Sequence, residues 1–208
     1  LIISIAAGLR LRALTRRLGY AGVVRVMPNL AATVGASMSV LTVGRGVTAK
    51  QRALARAILG CVGEVVELPE RLFDAVTAIS GSGPAYFFVI CQALRDAAVQ
   101  AGIPAEVARR LVVQTALGSA RLADGSGEAF DELIRRVASK RGTTEAALKV
   151  FRRRGLTQIL QAGVRAAERR SRQLSSHHFA EVAVGNPSSY RFGGRRKRGG
   201  KIGPAGRR

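Results

Sequence analysis

The order of strand-like and helix-like segments changes once along this chain, and that change constrains the fold more than any other feature. Up to about residue 70, short apolar runs alternate with helical segments, and each stops at a glycine or a proline. The strand-like runs are Leu1–Ala7, Val23–Met27, Ser37–Val43 and Val62–Leu68, and the helical ones are Leu9–Leu18 and Ala49–Leu59. After residue 70 the apolar residues follow helical spacing. The pattern predicts an α/β layer followed by an all-α domain.

The composition favours a core of aliphatic side chains. The chain has 208 residues, of which 47% are hydrophobic and only 5% aromatic, with no tryptophan. No apolar run reaches the ~18–20 residues that a bilayer span requires, so no membrane partner is expected. Cys61 and Cys91 stand alone, without the spacing of a metal or redox site. We therefore expect free thiols in a cytoplasmic protein and no metal centre.

The chain is strongly basic, with 34 Lys and Arg against 13 Asp and Glu and a formal net charge of +21. Many of the arginines come in scattered pairs, which suit solvated helix faces as well as a surface for anions. Residues 175–208 are predicted to be a disordered basic tail, because Arg195–Arg198 lies among glycines without helical periodicity. His177 and His178, at its start, are expected to be exposed rather than metal ligands. Nucleic-acid binding through this tail is one alternative function, although no zinc-finger, helix-turn-helix or stacking motif supports specific binding.

A Gly-Ser-Gly-Pro segment interrupts the first helical region, within Ile79–Tyr86 (ISGSGPAY). Its glycines allow close approach of a neighbouring group, and its proline fixes one φ angle. We expect a bend here, at the start of a helix over Ala85–Ala101. A second glycine pattern, G-x-G-x-x-A at Gly44–Ala49, fits either a dinucleotide-binding loop or a turn into a helix capped by Thr48.

Two further motifs lie where ligands commonly bind. Pro28 and Asn29 end the second strand, and Asn29 can form an Asx turn or reach into a cleft at the carboxyl edge of the sheet. Ser139–Thr144 (SKRGTT) precedes a helix, so its backbone N–H groups and hydroxyls can hold a carboxylate. A plain helix cap, with Glu145 in the first turn, is the alternative for this loop.

Taken in order, these motifs resemble those of pyrroline-5-carboxylate reductases. The similarity extends from about Leu1 to Leu174 and includes ISIAAG, RVMPN, DAVTAISGSGPAY, AGIP, QTALGSARL and RGTTEAALKVF. The resemblance implies an oxidoreductase that uses NADPH or NADH to reduce 1-pyrroline-5-carboxylate to proline, the last step of proline synthesis. It also implies that residues 1–70 are the C-terminal part of a Rossmann-type domain and that residues 71–174 form a helical dimerisation and substrate domain. The active site would lie between the two domains, at the interface of a homodimer or higher homo-oligomer.

The resemblance also implies roles for single residues. Those expected near the cofactor follow the ends of two strands and are Ala6, Ala7, Gly8, Pro28 and Asn29. Those expected to hold the substrate carboxylate and ring nitrogen belong to the loop and are Ser139, Gly142, Thr143 and Thr144. Thr144 would be the catalytic contact, hydrogen-bonded to the imine nitrogen. A hydride transfer of this kind needs placement of the reactants and no nucleophile.

The chain departs from the family pattern in the loop and at its beginning. The family loop reads Ser-Pro-Gly-Gly-Thr-Thr, whereas Lys140 and Arg141 occupy the positions of its proline and first glycine, and Leu30 replaces the threonine after Met-Pro-Asn. The resemblance places the glycine-rich phosphate loop and the first βαβ unit upstream of Leu1. We therefore expect turnover to require that upstream segment. A non-catalytic helical dimerisation module of the same family is the other alternative function.

Overall fold

The structure, a computed structural model, describes residues 1–184, with side chains as far as Ser176. Its first part is a four-stranded sheet in the order β1-β2-β3-β4. The strands are β1 (Ile2–Ser4), β2 (Val23–Met27), β3 (Ser37–Val43) and β4 (Gly63–Glu67). Strands β1 and β2 are parallel, β2 and β3 antiparallel, and β3 and β4 parallel. The predicted bounds are confirmed for β2 and β3, and the two outer strands are shorter than the apolar runs that suggested them.

Two helices accompany the sheet, α1 (Leu11–Leu18) and α2 (Ala49–Gly60). Helix α2 begins with a capping box, in which Thr48 Oγ1 accepts from Gln51 N at 3.2 Å and Gln51 Oε1 accepts from Thr48 N at 2.9 Å. This confirms the predicted cap at Thr48. The buried apolar cluster between α2 and the sheet comprises Val24, Val26, Leu41, Ala55 and Leu59.

From Glu70 to Leu174 the secondary structure is helical apart from short turns, as predicted, and the last helix continues to Val184. The helices are α3 (Phe73–Val76), α4 (Gly83–Gln100), α5 (Ala105–Ser126), α6 (Phe130–Val137), α7 (Thr143–Arg153) and α8 (Leu156–Val184). A π-helical turn, Thr77–Gly81, lies between α3 and α4. The bend expected at Gly-Ser-Gly-Pro is therefore a widened turn within an almost continuous helix.

The predicted start of a disordered tail after residue 174 needs correction. Helix α8 continues to Val184, ten residues beyond that boundary. The helix is packed where it passes this boundary, since Ser171 Oγ donates to Asp74 Oδ1 at 2.7 Å and Ser175 is buried. The contact of Ser171 joins residues 97 positions apart, so the local polarity of the segment does not reveal it. The rest of the predicted tail, and the side chains of His177 and His178, lie outside the described residues.

One carboxylate connects the sheet to the helical domain. Glu70 Oε1 accepts from the backbone N–H of Leu11 at 2.6 Å and from Arg25 Nη1 at 2.8 Å. Arg25 is buried, and its guanidinium lies 4.7 Å from the centre of the Phe73 ring. Because Leu11 begins α1 and Arg25 lies in β2, this network fixes the start of the helical domain against both elements.

Large apolar side chains are exposed along the helical domain. Phe87 on α4 is 67% exposed and Phe130 on α6 is 76% exposed, and further exposed apolar residues lie on α5, α7 and α8. Exposed apolar surface of this extent is typical of protein interfaces. Among the described residues, one helical stretch, Glu70–Gln100, is long and apolar enough to cross a membrane by length and composition alone. The same criteria are met by a helix that packs in a protein interface.

Candidate active site

The residues predicted to lie near the cofactor meet at one edge of the sheet. Strands β1 and β2 are parallel neighbours, with Ser4 paired to Arg25, so their carboxyl ends point the same way. Ala6, Ala7 and Gly8 follow β1, and Pro28 and Asn29 follow β2. The turn at Gly8 has a φ of 76°, a conformation that glycine adopts without strain. The structure therefore brings the two predicted segments to the same edge.

Asn29 makes both of the interactions that its sequence position allowed. Its Oδ1 accepts from the backbone N–H of Ala31 at 3.1 Å, which is the Asx turn. Its Nδ2 donates to Ser80 Oγ at 3.3 Å, across the edge of the sheet. Asn29 is half-buried, and the backbone N–H of Asn29 donates to Ser37 Oγ at 3.3 Å. The side chain is thus held at the carboxyl edge rather than free in solvent.

Ser80 is a site residue that the sequence reasoning did not identify. It lies in the π-helical turn, and its hydroxyl donates to the carbonyl oxygen of Met38 at 3.3 Å. The neighbouring Gly81 packs against the side chain of Met27, whose terminal methyl would lie 2.6 Å from a Cβ at residue 81. The Gly-Ser-Gly-Pro motif indicated a close contact in this region, but not which side chain makes it.

The predicted substrate loop forms a turn that begins α7. The backbone N–H of Gly142 donates to the carbonyl oxygen of Ser139 at 3.0 Å, and Gly142 occupies the N-cap position. A Cβ at residue 142 would lie 2.3 Å from Ser139 Oγ and 3.1 Å from the carbonyl oxygen of Ser139, so a larger residue here would displace the Ser139 hydroxyl. Thr143 and Thr144 are the first two residues of the helix, where backbone N–H groups lack intrahelical partners. Such a helix end favours an anion.

Arg141 has a left-handed backbone with a φ of 61°, at the position where the family loop has its first glycine. This conformation is strained for a residue with a Cβ. The carboxylate of Glu145 accepts from the backbone N–H of Arg141 and lies 3.0 Å from Lys149 Nζ. The hydrogen bond from Lys149 and that from Arg141 hold the pKa of Glu145 below its ordinary value. Glu145, in the first helical turn of α7, therefore stabilises the loop that precedes this helix.

The loop and the sheet edge belong to different parts of the structure. The hydrogen bonds of residues 139–144 stay within the loop and the first turn of α7, and none reaches residues 1–70 in the described part of the chain. Helix α7 packs against α8, which in turn packs against α3 and the π-helical turn. A single chain therefore presents two separate candidate sites, one at the edge and one at the loop.

The glycine pattern at Gly44–Ala49 is a packed turn. A Cβ at Gly44 would lie 2.8 Å from the carbonyl oxygen of Ala21, and a Cβ at Gly46 would lie 2.6 Å from Ala21 Cβ. The two glycines thus leave room for the neighbouring loop at Ala21. This packing favours the interpretation of the motif as a turn into the helix that Thr48 caps. Among the side chains that the structure describes, as far as Ser176, no group of three His, Cys, Asp or Glu is placed to hold a metal ion.

Comparison with known proteins identifies the relatives of this chain. Residues 70–174 match the pyrroline-5-carboxylate reductase dimerisation family. The chain is 42% identical over 174 residues to the pyrroline-5-carboxylate reductase of Synechocystis and 45% identical over 177 residues to that of Pseudomonas aeruginosa. Each alignment covers 84% of this chain and 65% of the relative, so the chain spans just under two thirds of their length.

Solved structures give the same result. A Plasmodium falciparum pyrroline carboxylate reductase with NADP bound has a TM-score of 0.79 and 30% identity, covering 84% of this chain and 71% of that one. The pyrroline-5-carboxylate reductase of Coxiella burnetii also has a TM-score of 0.79, with 38% identity and coverage of 83% and 65%. The sheet and the helical domain therefore correspond to part of a Rossmann domain and to a dimerisation domain, and the chain belongs to the pyrroline-5-carboxylate reductase family.

Proposed function

We propose that this chain, joined to the upstream segment that the family pattern places before Leu1, reduces 1-pyrroline-5-carboxylate to L-proline with NADPH or NADH, as a homodimer or a higher homo-oligomer in the cytoplasm. In this reaction a hydride is added to the carbon of the C=N bond and a proton is added to the nitrogen. The carbon is thereby reduced and the nicotinamide oxidised. Family membership supports the reaction class, and the arrangement of the edge and the loop supports the assignment of residues.

The observation that carries the proposal is the backbone of the substrate loop. The loop has a left-handed residue at position 141 and a glycine packed against Ser139 at position 142, although arginine has replaced the first of the two family glycines. A turn that needed only to start a helix would have no reason to keep a conformation that costs an arginine about 1–2 kcal/mol. The turn ends at the start of α7, where the first N–H groups have no intrahelical partners and a carboxylate can bind.

In the proposed site, the loop binds and orients the substrate. The backbone N–H groups of Thr143 and Thr144, together with the hydroxyl of Ser139, would bind the substrate carboxylate at the positive end of α7. The Thr144 hydroxyl, one residue into the helix, would hydrogen-bond the ring nitrogen and fix which face of the C=N bond is presented. These residues lower the barrier by placement, since no covalent intermediate is required.

The sheet edge fits the nicotinamide end of the cofactor. Only one of the two Nδ2 hydrogens of Asn29 is used by Ser80, so this half-buried amide can still donate to a ligand at the open edge. Ala6 and Ala7 are small and exposed beside it, leaving room for a flat ring. When bound, NADPH or NADH supplies the hydride. Pro28 and Asn29 would orient the ring, and Ala6, Ala7 and Gly8 would line its pocket.

The exposed apolar faces of the helical domain support assembly with a second copy. We propose that two copies bury these faces against each other and that the loop of one copy then faces the sheet edge of its partner. This arrangement would unite the two candidate sites, which the contacts within one chain leave apart. Oligomerisation would therefore be a requirement for catalysis as well as for stability.

The test is NADPH-dependent reduction of 1-pyrroline-5-carboxylate, measured for the 208-residue chain and for the same chain extended by the family's upstream segment. Thr144→Ala should lower kcat/KM on the order of 10²-fold, because it removes a contact to the reacting nitrogen. Thr144→Ser should retain most of the activity. Thr157→Ala, which alters an exposed threonine of α8, is the matched control and should equal wild type. Unchanged kinetics in Thr144→Ala would refute the assigned role.

The extent of the exposed apolar faces also supports a second candidate, a non-catalytic dimerisation module that pairs with another reductase subunit. That protein would form mixed dimers but would neither bind NADPH nor turn over substrate, with or without the upstream segment. Size-exclusion chromatography combined with NADPH titration separates the two candidates. Dimers without cofactor binding would favour the module.

A further inference from the structure

We infer that Ser80, which belongs to the helical domain, is a positioning residue that sets the orientation of the Asn29 carboxamide for the cofactor. The inference rests on the proposed function and goes beyond it, because it assigns a specific task to a side chain of the Gly-Ser-Gly-Pro motif. It follows from the hydrogen bonds around Asn29, from the position of the π-helical turn and from the one donor that these bonds leave over.

The hydrogen bonds of Ser80 allow only one orientation of the amide. A serine hydroxyl has a single proton, and Ser80 donates it to the carbonyl oxygen of Met38. Towards Asn29, Ser80 Oγ can therefore only accept, so it must face the NH₂ group. On the other side, the backbone N–H of Ala31 needs an acceptor and must face Oδ1. Two independent contacts thus select the same orientation of the carboxamide.

This orientation leaves one donor for a ligand. The amide nitrogen of Asn29 carries two hydrogens, of which Ser80 accepts one, and within residues 1–184 the second has no protein partner. Asn29 follows β2 at the carboxyl edge, next to the segment Ala6–Gly8 that follows β1. The free N–H matches a carbonyl acceptor such as the carboxamide oxygen of a nicotinamide ring. A flipped amide would present an oxygen there and would repel that acceptor.

The π-helical turn is what brings Ser80 to this place. Residues Thr77–Gly81 form the turn, and Gly81 packs against the side chain of Met27, the last residue of β2. Insertions of this kind shift the side chains that follow them around the helix axis, and they are frequent at functional sites. The helical domain therefore contacts the sheet edge through Ser80. The orientation of the Asn29 carboxamide thus depends on how that domain packs against the sheet.

The test compares Ser80→Ala with Ser82→Ala, using the form of the protein that shows reductase activity. Ser82 is the matched control because it lies two residues away in the same motif, and its hydroxyl makes no hydrogen bond in the described structure. The first readout is the pair of ¹⁵N–¹H signals from the Asn29 side-chain amide. The second is the dissociation constant of NADPH, measured by its fluorescence, together with the KM of each substrate.

We expect Ser80→Ala to speed hydrogen exchange of the Asn29 side-chain amide. It should also raise the NADPH dissociation constant about 3- to 10-fold, because the hydrogen bond that fixes the orientation of this amide is lost. The KM for 1-pyrroline-5-carboxylate should not change, and Ser80→Thr should restore binding. In an Asn29→Ala background, Ser80→Ala should have no further effect on NADPH affinity, because the two residues act as one unit.

Other outcomes would overturn the inference. Equal NADPH affinity in Ser80→Ala and wild type, or additive effects of the two substitutions, would mean that Ser80 does not act through Asn29. Equal losses in Ser80→Ala and Ser82→Ala would indicate a general disturbance of the turn. If no form of the protein binds NADPH, the proposed function fails and the role towards the cofactor fails with it, whereas the amide signals still report whether Ser80 contacts Asn29.

Discussion

Gly63, the first residue of β4, provides a stringent test of the sheet geometry. Its φ is +142°, which L-residues with a side chain rarely adopt. A Cβ built on it would lie 2.1 Å from the carbonyl oxygen of Ser37 and 2.4 Å from the nitrogen of Ser37. Ser37 cannot move away easily, because its N–H donates to the carbonyl oxygen of Val62 at 2.8 Å and its hydroxyl accepts from Asn29. Gly63→Ala should therefore strain β4 and displace β3.

The expected loss of stability has two parts. Holding a non-glycine residue in this backbone region costs of order 1–3 kcal/mol. Relieving an overlap with backbone atoms that cannot rotate away costs a further 1–3 kcal/mol, roughly as in overpacked cores. The two costs sum to about 2–6 kcal/mol. For a chain of this size each kcal/mol lowers Tm by roughly 2–4 °C, so Tm should fall by at least about 4 °C and by about 12 °C for a mid-range cost.

The matched control is Gly60→Ala, three residues earlier. Gly60 is the last residue of α2, and a Cβ there would meet nothing within 4 Å. Alanine should raise the stability by about 0.5–1 kcal/mol, because it favours the helix. Thermal unfolding of both variants and wild type, followed by circular dichroism at one protein concentration, gives the comparison. A Tm for Gly63→Ala within about 2 °C of wild type would refute the geometry assigned to the start of β4.

Three further predictions concern the loop and the helical domain. Arg141→Gly should raise stability by about 0.5–1 kcal/mol by relieving the left-handed backbone, whereas Lys140→Gly should lower it, and Tm values of the two variants test this. Because the pKa of Glu145 is lowered in the folded protein, its contribution to stability is present above its ordinary pKa and is lost as the pH falls through the lowered value. Glu145→Gln should therefore lower the free energy of unfolding at neutral pH and make it depend less on pH in the acid range. An unchanged pH dependence of the free energy of unfolding would contradict the assigned contacts. Phe87→Glu should shift the protein towards the monomer, as measured by light scattering, because it places a charge on the exposed apolar face of α4. The control Ile58→Glu, at an exposed position of α2, should leave the mass unchanged. Equal masses for wild type and both variants would rule out α4 as an interface.

Features that depend on neighbours in sequence could be predicted. The bounds of β2 and β3 follow from β-branched runs that end at Pro28 and Gly44, and the cap of α2 follows from Thr48 with Gln51 three residues later. The turn before α7 was indicated by its glycine and hydroxyl residues. In each case the physical cause lies within a few positions, so the sequence pattern reports it directly.

Contacts between distant residues could not be predicted in the same way. Asn29 and Ser80 are 51 positions apart, and Glu70 and Leu11 are 59 positions apart. The sequence indicated that the Asn29 side chain could either form an Asx turn or extend to the edge of the sheet. Only the structure shows that it does both. The hydrogen bond from Ser171 on α8 to Asp74 is of the same kind, since it spans 97 positions.

The sequence by itself therefore determined the division into a sheet and a helical domain, the family, and the segments from which a site could be built. The tertiary structure decided which side chains meet: Ser80 with Asn29 at the sheet edge, and Glu70 with both Leu11 and Arg25 at the domain junction. It also decided that Arg141, at the position where the family loop has a glycine, adopts a left-handed backbone. The reason is physical, because periodicity and capping act over one turn of chain, whereas hydrogen bonds between domains and the backbone shape of a loop depend on the packing of the whole molecule.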